Sequence, residues 1–356
     1  MANQVDAMKD CLQGLRVIDL TRNLPGPFAT RLLADLGAEI IKIEPKGGDP
    51  ARALGGLFDA LNHGKTIEKI DFRNAEDIES LKEYLKNADV MLDSFRPGVL
   101  KGMGLDAQTL HAINPKLVIV SITGYGIVDY SDLTHDWADK AGHDINFMAM
   151  SGVLDQLRTA KGEQAMPNIQ FADLAGGSDT AVIALLAAVF AAQRTGKGRH
   201  VAVSMTHSLY NHMIMPKATG TLVKSFSGQN PPPHYDFLGG LLPCYRLYKT
   251  SDDRYMAVGS LELKFWQGLC EMLELPEHKD AHWQRGVMPN LPASQEAAKA
   301  VTDKFASQPL EFWQQAFEAR DVCVTPVLSL EEAKAHPLFA HQDEHHSTTG
   351  WQYIKG

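Results

Sequence analysis

The feature that most constrains this chain is an alternation of short apolar runs with helical stretches over its first third. LRVIDL (15–20) follows Gly14 and reads as a buried strand, NLPGP (23–27) as a turn, 28–36 as a helix closed by Gly37, and 38–44 as a second strand. Strand, helix and strand in this order make a βαβ unit, and βαβ connections build parallel sheets. Further strands are read at 67–72, 88–93 and 117–123. Helices are read at 76–87, where Ile78, Leu81 and Leu85 fall on one face, and at 105–113. The expectation is α/β: an open, Rossmann-like domain with a parallel sheet. Ligands of such sheets bind outside the carboxyl ends of the strands. That draws attention to the loops 45–56, 94–99 and 123–126. No G-x-G-x-x-G follows the first strand, which argues against a nicotinamide dinucleotide, and neither a P-loop nor a G-x-S-x-G elbow occurs.

The second landmark runs from 141 to 205. It contains AGHDINFMAMSG and, after a variable segment, NIQFADLAGGSDTAVIALLAAVFAAQRTGKGRHVAVSM. The apolar run 180–192 reads as a buried helix, closed at the glycines of Thr-Gly-Lys-Gly. It is shorter than the ~20 residues a bilayer span needs, so no membrane is expected as a partner. Asp173 stands near the start of this helix, where unbonded N–H groups and the helix dipole favour negative charge. An aspartate there is most often a simple N-cap. His143 is a second titratable group, although a lone histidine ahead of an apolar run is more often a packed core residue.

After residue 205 the texture changes. A long connecting helix is read at 206–224, and SFSGQNPPP (225–233) is rich in turn residues. A β-hairpin (242–249 and 255–259), helices at 264–273, 294–306 and 310–319, and a last strand at 322–328 suggest a smaller α+β domain. The expected division is a large domain of 1–200 with 328–356, a linker of 201–233 and a small domain of 234–327. Among 356 residues the formal net charge is −9, with no basic block, so nucleic acid is not an expected partner. Four scattered cysteines without CxxC spacing fit reduced thiols in the cytoplasm. His341, His345 and His346 lack the repeated spacing of a ligand set, so no metal site is expected.

Several longer stretches carry a resemblance. They are GLRVIDLTRNLPGPFATRLLADLGAEIIKIEPKGGD, SFRPGVLKGMGL, SITGYG, AGHDINF, ADLAGGS, RTGKGRHVAVSM, RYMAVGSLELKF and VCVTPVLSLEEAKAHP. Together they resemble the family III CoA-transferase (CaiB/BaiF) superfamily and, within it, the α-methylacyl-CoA racemases. The transferases have Gly-Tyr-Asp where this chain has Gly142-His143-Asp144, and usually a longer glycine-rich loop than Leu-Gly-Gly-Leu at 238–241. The interval from His143 to Asp173 also matches the racemase pair.

The resemblance implies an interlocked homodimer with the active site between the large domain of one subunit and the small domain of its partner. It implies a racemase that inverts the α-carbon of a 2-methylacyl-CoA by proton transfer through an enolate, with His143 and Asp173 as the two bases. Glu262 would support the histidine from the partner subunit, although proline commonly follows that glutamate in racemases and Leu263 follows it here. Backbone N–H groups at the start of the Asp173 helix would hold the enolate oxygen. No metal or organic cofactor is implied, CoA being part of the substrate. The nucleotide end of CoA would lie on the large domain, against Arg96, Arg73, Lys46, Phe95, Ile70 and Tyr125, while a family arginine near Gly102 is missing. The alternative is a CoA-transferase, in which Asp173 forms an acyl anhydride and then a CoA thioester.

Overall fold

In a computed structural model of the protein, six parallel strands carry the first part of the chain; the residues described are 8–127, 137–159, 162–233, 238–289 and 291–339. The strands are β1 (Arg16–Asp19), β2 (Glu39–Pro45), β3 (Thr66–Ile70), β4 (Val90–Asp93), β5 (Val118–Thr123) and β6 (Arg199–Ser204). They pair in the order β3-β2-β1-β4-β5-β6, every neighbouring pair parallel. The strand order reverses between β1 and β4, the point where a crevice opens at the carboxyl edge of such a sheet. Every residue of β4 and β5 is buried, as expected for parallel strands covered on both faces. On one face, Leu33 of the helix Pro25–Asp35 and Leu185 and Ala188 of the helix Thr180–Thr195 pack against Val17, Val90 and Val120. On the other, Leu81 and Leu85 of Ala75–Lys86 and Leu110 of Ala107–Ile113 pack against Ile18, Met91 and Ile119.

The elements depart from the sequence reading in three places. The first helix starts at Pro25, not at 28, because Pro25 and Pro27 occupy its first turn, where a missing N–H costs no hydrogen bond. The helix read at 180–192 is longer. A π-helical segment, Ala172–Asp179, runs directly into Thr180–Thr195, and Gly196 closes it at φ +70°. Together these 24 residues are long and apolar enough to cross a membrane by length and composition, with a mean hydropathy of 1.8 over the most apolar window. Ala181, Leu185, Ala188 and Ala192 nevertheless line the core beneath the sheet. The stretch read as one connecting helix is two, Met205–His212 and Ile214–Ser227.

The chain divides into two compact units at Met213/Ile214. The second holds a three-stranded antiparallel sheet of β7 (Tyr245–Lys249), β8 (Tyr255–Gly259) and β9 (Val324–Pro326), in that order. Its core gathers Tyr248, Trp266, Leu269, Phe305 and Trp313. The chain is thus mixed α/β, with a parallel sheet in one unit and an α+β arrangement in the other. His341, His345 and His346 lie outside the described residues.

The carboxyl edge of β1 and β2 contains buried charge. The Asp19 carboxylate accepts hydrogen bonds from Thr21 N–H (2.9 Å), Thr30 Oγ1 (2.6 Å) and Lys65 Nζ (3.3 Å). Lys42 Nζ lies 3.0 Å from Asp49 Oδ2 and donates to Thr21 O at 2.9 Å. Asp49 Oδ1 accepts the N–H groups of Asn23 (3.1 Å) and Ala51 (3.0 Å). Burial works to raise the Asp19 carboxyl, but Lys65, Lys42 and the two threonine hydroxyls override it and hold it below its ordinary range. Burial pushes Lys65 down to about 8 against the pull of Asp19. Lys65 therefore depends on Asp19 for its charge. Asp19→Ala should cost about 3–5 kcal/mol of stability by leaving the buried Lys65 ammonium without its counter-ion, held only by the neutral acceptors Pro27 O, Thr30 Oγ1 and Asn62 Oδ1. Asp19→Ala with Lys65→Met should recover a large part of that. Urea unfolding followed by circular dichroism measures both, and a double variant no more stable than the single one would remove the coupling.

Candidate active site

His143 is the N-cap of the helix Asp144–Met150, with extended backbone at φ −126°. Its N–H donates to Asn146 Oδ1 at 3.0 Å, which holds the turn against the first coil of the helix. Phe147 anchors the turn to the end of β5. Its ring meets Tyr125 edge to face at 5.1 Å. A Cβ at Gly124 would lie 2.3 Å from the Phe147 ring, and one at Gly142 would lie 2.6 Å from it. Glycine at both positions lets the aromatic ring wedge between the two segments. The His143 side chain is left exposed.

Asp173 sits in the first turn of the π-helical segment, whose close packing also depends on glycine. A Cβ at Gly176 would lie 3.0 Å from Met205 O, and one at Gly177 would lie 3.0 Å from Pro25 Cβ. Asp173 is not an N-cap. The capping position is Phe171, and among the described residues the Asp173 carboxylate accepts no hydrogen bond. Asp144 satisfies the helix start in its place. One oxygen, Oδ1, accepts the N–H of Ala172 at 2.7 Å and that of Asp173 at 3.0 Å, and Leu174 N–H bonds to Gln170 O at 2.9 Å. The expectation that these N–H groups hold an enolate oxygen is therefore corrected, because they are already bonded. Burial, and then the negative charge of Asp144, push the Asp173 carboxyl up to about 7. A partly buried carboxyl without donors, titrating near neutrality, can both take and give a proton.

The other expected residues separate into groups. Phe95 follows β4; its N–H donates to Asp93 Oδ1 at 3.1 Å and its ring meets Phe72 edge to face at 5.7 Å. Asp93 is itself held by Ser121, whose hydroxyl donates to Oδ2 at 2.6 Å, while burial pushes its carboxyl up to about 6. Arg96, Arg73 and Lys46 are exposed beyond the carboxyl ends of β4, β3 and β2. Tyr125 packs between Phe147 and Trp137, at the His143 end and apart from the Phe95 group. Ile70 is 5% exposed and packs in the core against the sheet, so its side chain supports the loop and offers little surface to a ligand. The sequence reading missed Arg22. Its guanidinium lies 5.8 Å from the Phe95 ring centre, and its N–H donates to Ser94 Oγ at 3.4 Å. Arg22 follows β1 and Arg96 follows β4, so the two flank the switch point of the sheet. That position after the first strand was the available signal. Among the described residues, no group of three His, Cys, Asp or Glu is placed to hold a metal ion.

Glu262 lies in the second unit, exposed, as the N-cap of the helix Leu263–Met272. Leu263 N–H donates to Gln284 Oε1 at 2.9 Å, and Trp283 Nε1 donates to Leu261 O at 2.8 Å. Proline at 263, which the resemblance implies, would have no N–H to donate, whereas the Leu263 N–H is used in this side-chain bond.

The pattern of CoA-transferase family III matches residues 12–350. An α-methylacyl-CoA racemase of Mus musculus is 34% identical over 91% of this chain and 80% of its own length. A succinyl-CoA:glutarate CoA-transferase of the same organism is 29% identical over 99% of this chain and 80% of its own. The crystal structure of a CaiB/BaiF family protein from Brucella suis superposes with a TM-score of 0.75 at 27% identity, covering 93% of this chain and 87% of that one.

A carboxyl raised from 3.8 to about 7 favours folding only while it is protonated. Its contribution is full below about pH 4 and is lost as pH rises through about 7. At about 1.4 kcal/mol per pKa unit, Asp173→Asn should stabilise the protein by on the order of 2–4 kcal/mol at pH 8 and by little at pH 4. Urea midpoints at the two pH values measure this. Equal gains at both would mean that Asp173 titrates in its ordinary range.

Proposed function

This chain belongs to CoA-transferase family III, and from that premise we propose that it is a racemase inverting the α-carbon of 2-methylacyl-CoA thioesters. The observation that carries the reading is the Asp173 carboxyl. Among the described residues it has no hydrogen-bond donor; it is raised to about 7 and is tied through its own backbone to the residue after His143. An acyl-accepting nucleophile gains from being ionised, and a carboxylate fully ionised at neutral pH would serve a transferase better. A carboxyl half protonated near pH 7 suits proton transfer. Histidine in the place where the resemblance puts the transferases' tyrosine adds a second acid–base group.

For one enantiomer, Asp173 removes the α-proton and the imidazolium of His143 returns one to the opposite face. For the other, the roles reverse. The enolate oxygen needs donors, and among the described residues the N–H groups of Asp144 and Ile145, at the start of the helix beside His143, make no other hydrogen bond. Such donors are each worth ~3 kcal/mol of barrier. Arg22, Arg96, Arg73 and Lys46 offer cations to the phosphates of CoA, with guanidinium groups best matched to them. Phe95 offers an aromatic face. The reaction as proposed needs no metal or organic cofactor. An interlocked homodimer, in which Glu262 of the partner subunit supports His143, and a cytoplasmic location belong to the same proposal.

The test is α-proton exchange in deuterated water with separate (2R)- and (2S)-methylacyl-CoA. Wild type should exchange both. His143→Ala should lose most exchange from one enantiomer and Asp173→Asn from the other, each by ~100- to 10,000-fold. Both variants should lose racemisation. If one variant is inactive toward both enantiomers and the other nearly normal, the two-base assignment fails. A second measurement separates the transferase reading. During turnover with an acceptor acid, the Asp173 peptide should keep its mass after hydroxylamine trapping. A shift that depends on acyl-CoA would assign the chain to acyl transfer.

A further inference from the structure

We propose that Asp144 is a positioning residue for proton transfer, its carboxylate clamping the backbone of Asp173 to the turn that carries His143. The inference rests on the racemase reading and adds a residue to it. A single oxygen of Asp144 accepts two N–H groups, from Ala172 at 2.7 Å and from Asp173 at 3.0 Å. His143 is the preceding residue, and its N–H is fixed by Asn146. The two proposed bases are thus joined through one residue, although they are far apart along the chain.

Packing holds the two segments from behind, and the Asp144 bonds join their backbones at the reacting end. Behind Asp173, a Cβ at Gly176 or Gly177 would crowd Met205 or Pro25, and Ser178 Oγ donates to Pro25 O at 2.6 Å. Behind His143, Phe147 is wedged against Gly124 and Gly142. Both halves are seated in the core of the first unit, where Phe147, Met148, Ala172 and Met205 share one cluster. The register between them at the reacting end is set by the Asp144 bonds. A π-helical turn, an uncommon geometry that occurs mostly where function requires it, puts the Ala172 and Asp173 N–H groups at this junction.

The charge of Asp144 has a second consequence. Charged or titratable groups on the elements packed around the π-helical segment include Asp144, Asp179 on the segment itself, Arg31 and Asp35 on Pro25–Asp35, Arg194 on Thr180–Thr195, Arg199 and His200 on β6, and His207, Tyr210 and His212 on Met205–His212. Of these, Asp144 alone acts on the Asp173 carboxyl, and it raises it. Asp144 therefore holds Asp173 in place while making it a stronger base.

Two variants separate these effects. Asp144→Asn keeps an acceptor oxygen and loses the charge, whereas Asp144→Ala loses both. Asp144→Ala should lower kcat by on the order of 100-fold, the cost of about 1 Å of misplacement, with KM changed far less. Asp144→Asn should recover most of kcat, while the limb of the pH profile near 7 moves to lower pH. Amide hydrogen exchange of the peptide spanning 170–175 should speed up in Asp144→Ala and stay near wild type in Asp144→Asn. This last readout needs no activity. If wild type exchanges no α-protons, the racemase reading fails while the clamp still stands or falls on amide exchange. Unchanged amide exchange and unchanged kcat in a folded Asp144→Ala would overturn the proposal. So would an Asn variant as impaired as the alanine one with its pH limb unmoved.

Discussion

Parallel pairing is the constraint from which the first unit follows. Parallel neighbours cannot be joined by tight hairpins, so each connection crosses over a face of the sheet, and the loops that begin at the carboxyl ends gather at one edge. Here that edge includes buried charge. Asp19 at the end of β1 is met by Lys65, from the loop ahead of β3, and Lys42 within β2 meets Asp49. These pairs tie together the segments at 21–24, 45–53 and 65. Buried ion pairs are weak evidence of net stability, because desolvation offsets much of their attraction. Their value here is geometric. The carboxylates also take backbone N–H groups, Asp19 that of Thr21 and Asp49 those of Asn23 and Ala51, so the pairs fix the loops in place.

The candidate site uses the same economy on a smaller scale. A helix start has N–H groups that must be satisfied, and the residue that could have capped it locally, Asp173, does not. Asp144 supplies the cap from a neighbouring helix instead. The consequence is chemical. A capping aspartate would accept N–H bonds, which hold a carboxyl ionised and weakly basic. Relieved of capping, Asp173 is partly buried, faces the like charge of Asp144 and titrates near neutrality. The same carboxylate that satisfies the backbone also perturbs the acid–base group beside it.

The turn at Glu262 departs from the pattern that the resemblance implies. Proline would restrict the turn covalently. Leucine leaves an N–H, and Gln284 and Trp283 use hydrogen bonds to the flanking backbone to fix it. These contacts involve residues about twenty positions away, so the substitution alone could not reveal them.

Much of the architecture was legible in the residues themselves. The alternation of apolar runs with helical ones from 15 to 123 determines a parallel sheet, because its period and spacing admit βαβ units and little else. The glycine closing the long helix and the hairpin of β7 and β8 were equally local signals. His143 and Asp173 could be singled out by motif and residue type. Tertiary structure alone decided that Asp173 does not cap its helix, since the competing donor set is claimed by a side chain from another segment. It also decided that Ile70 faces the core and that Tyr125 sits with Phe147 and not with Phe95. Arg22 joined the Phe95 group because β1 and β4 are neighbours in space although not in sequence. Burial and hydrogen-bond competition are properties of surroundings, and they set what a carboxylate can do; residue order determines only which carboxylates are present.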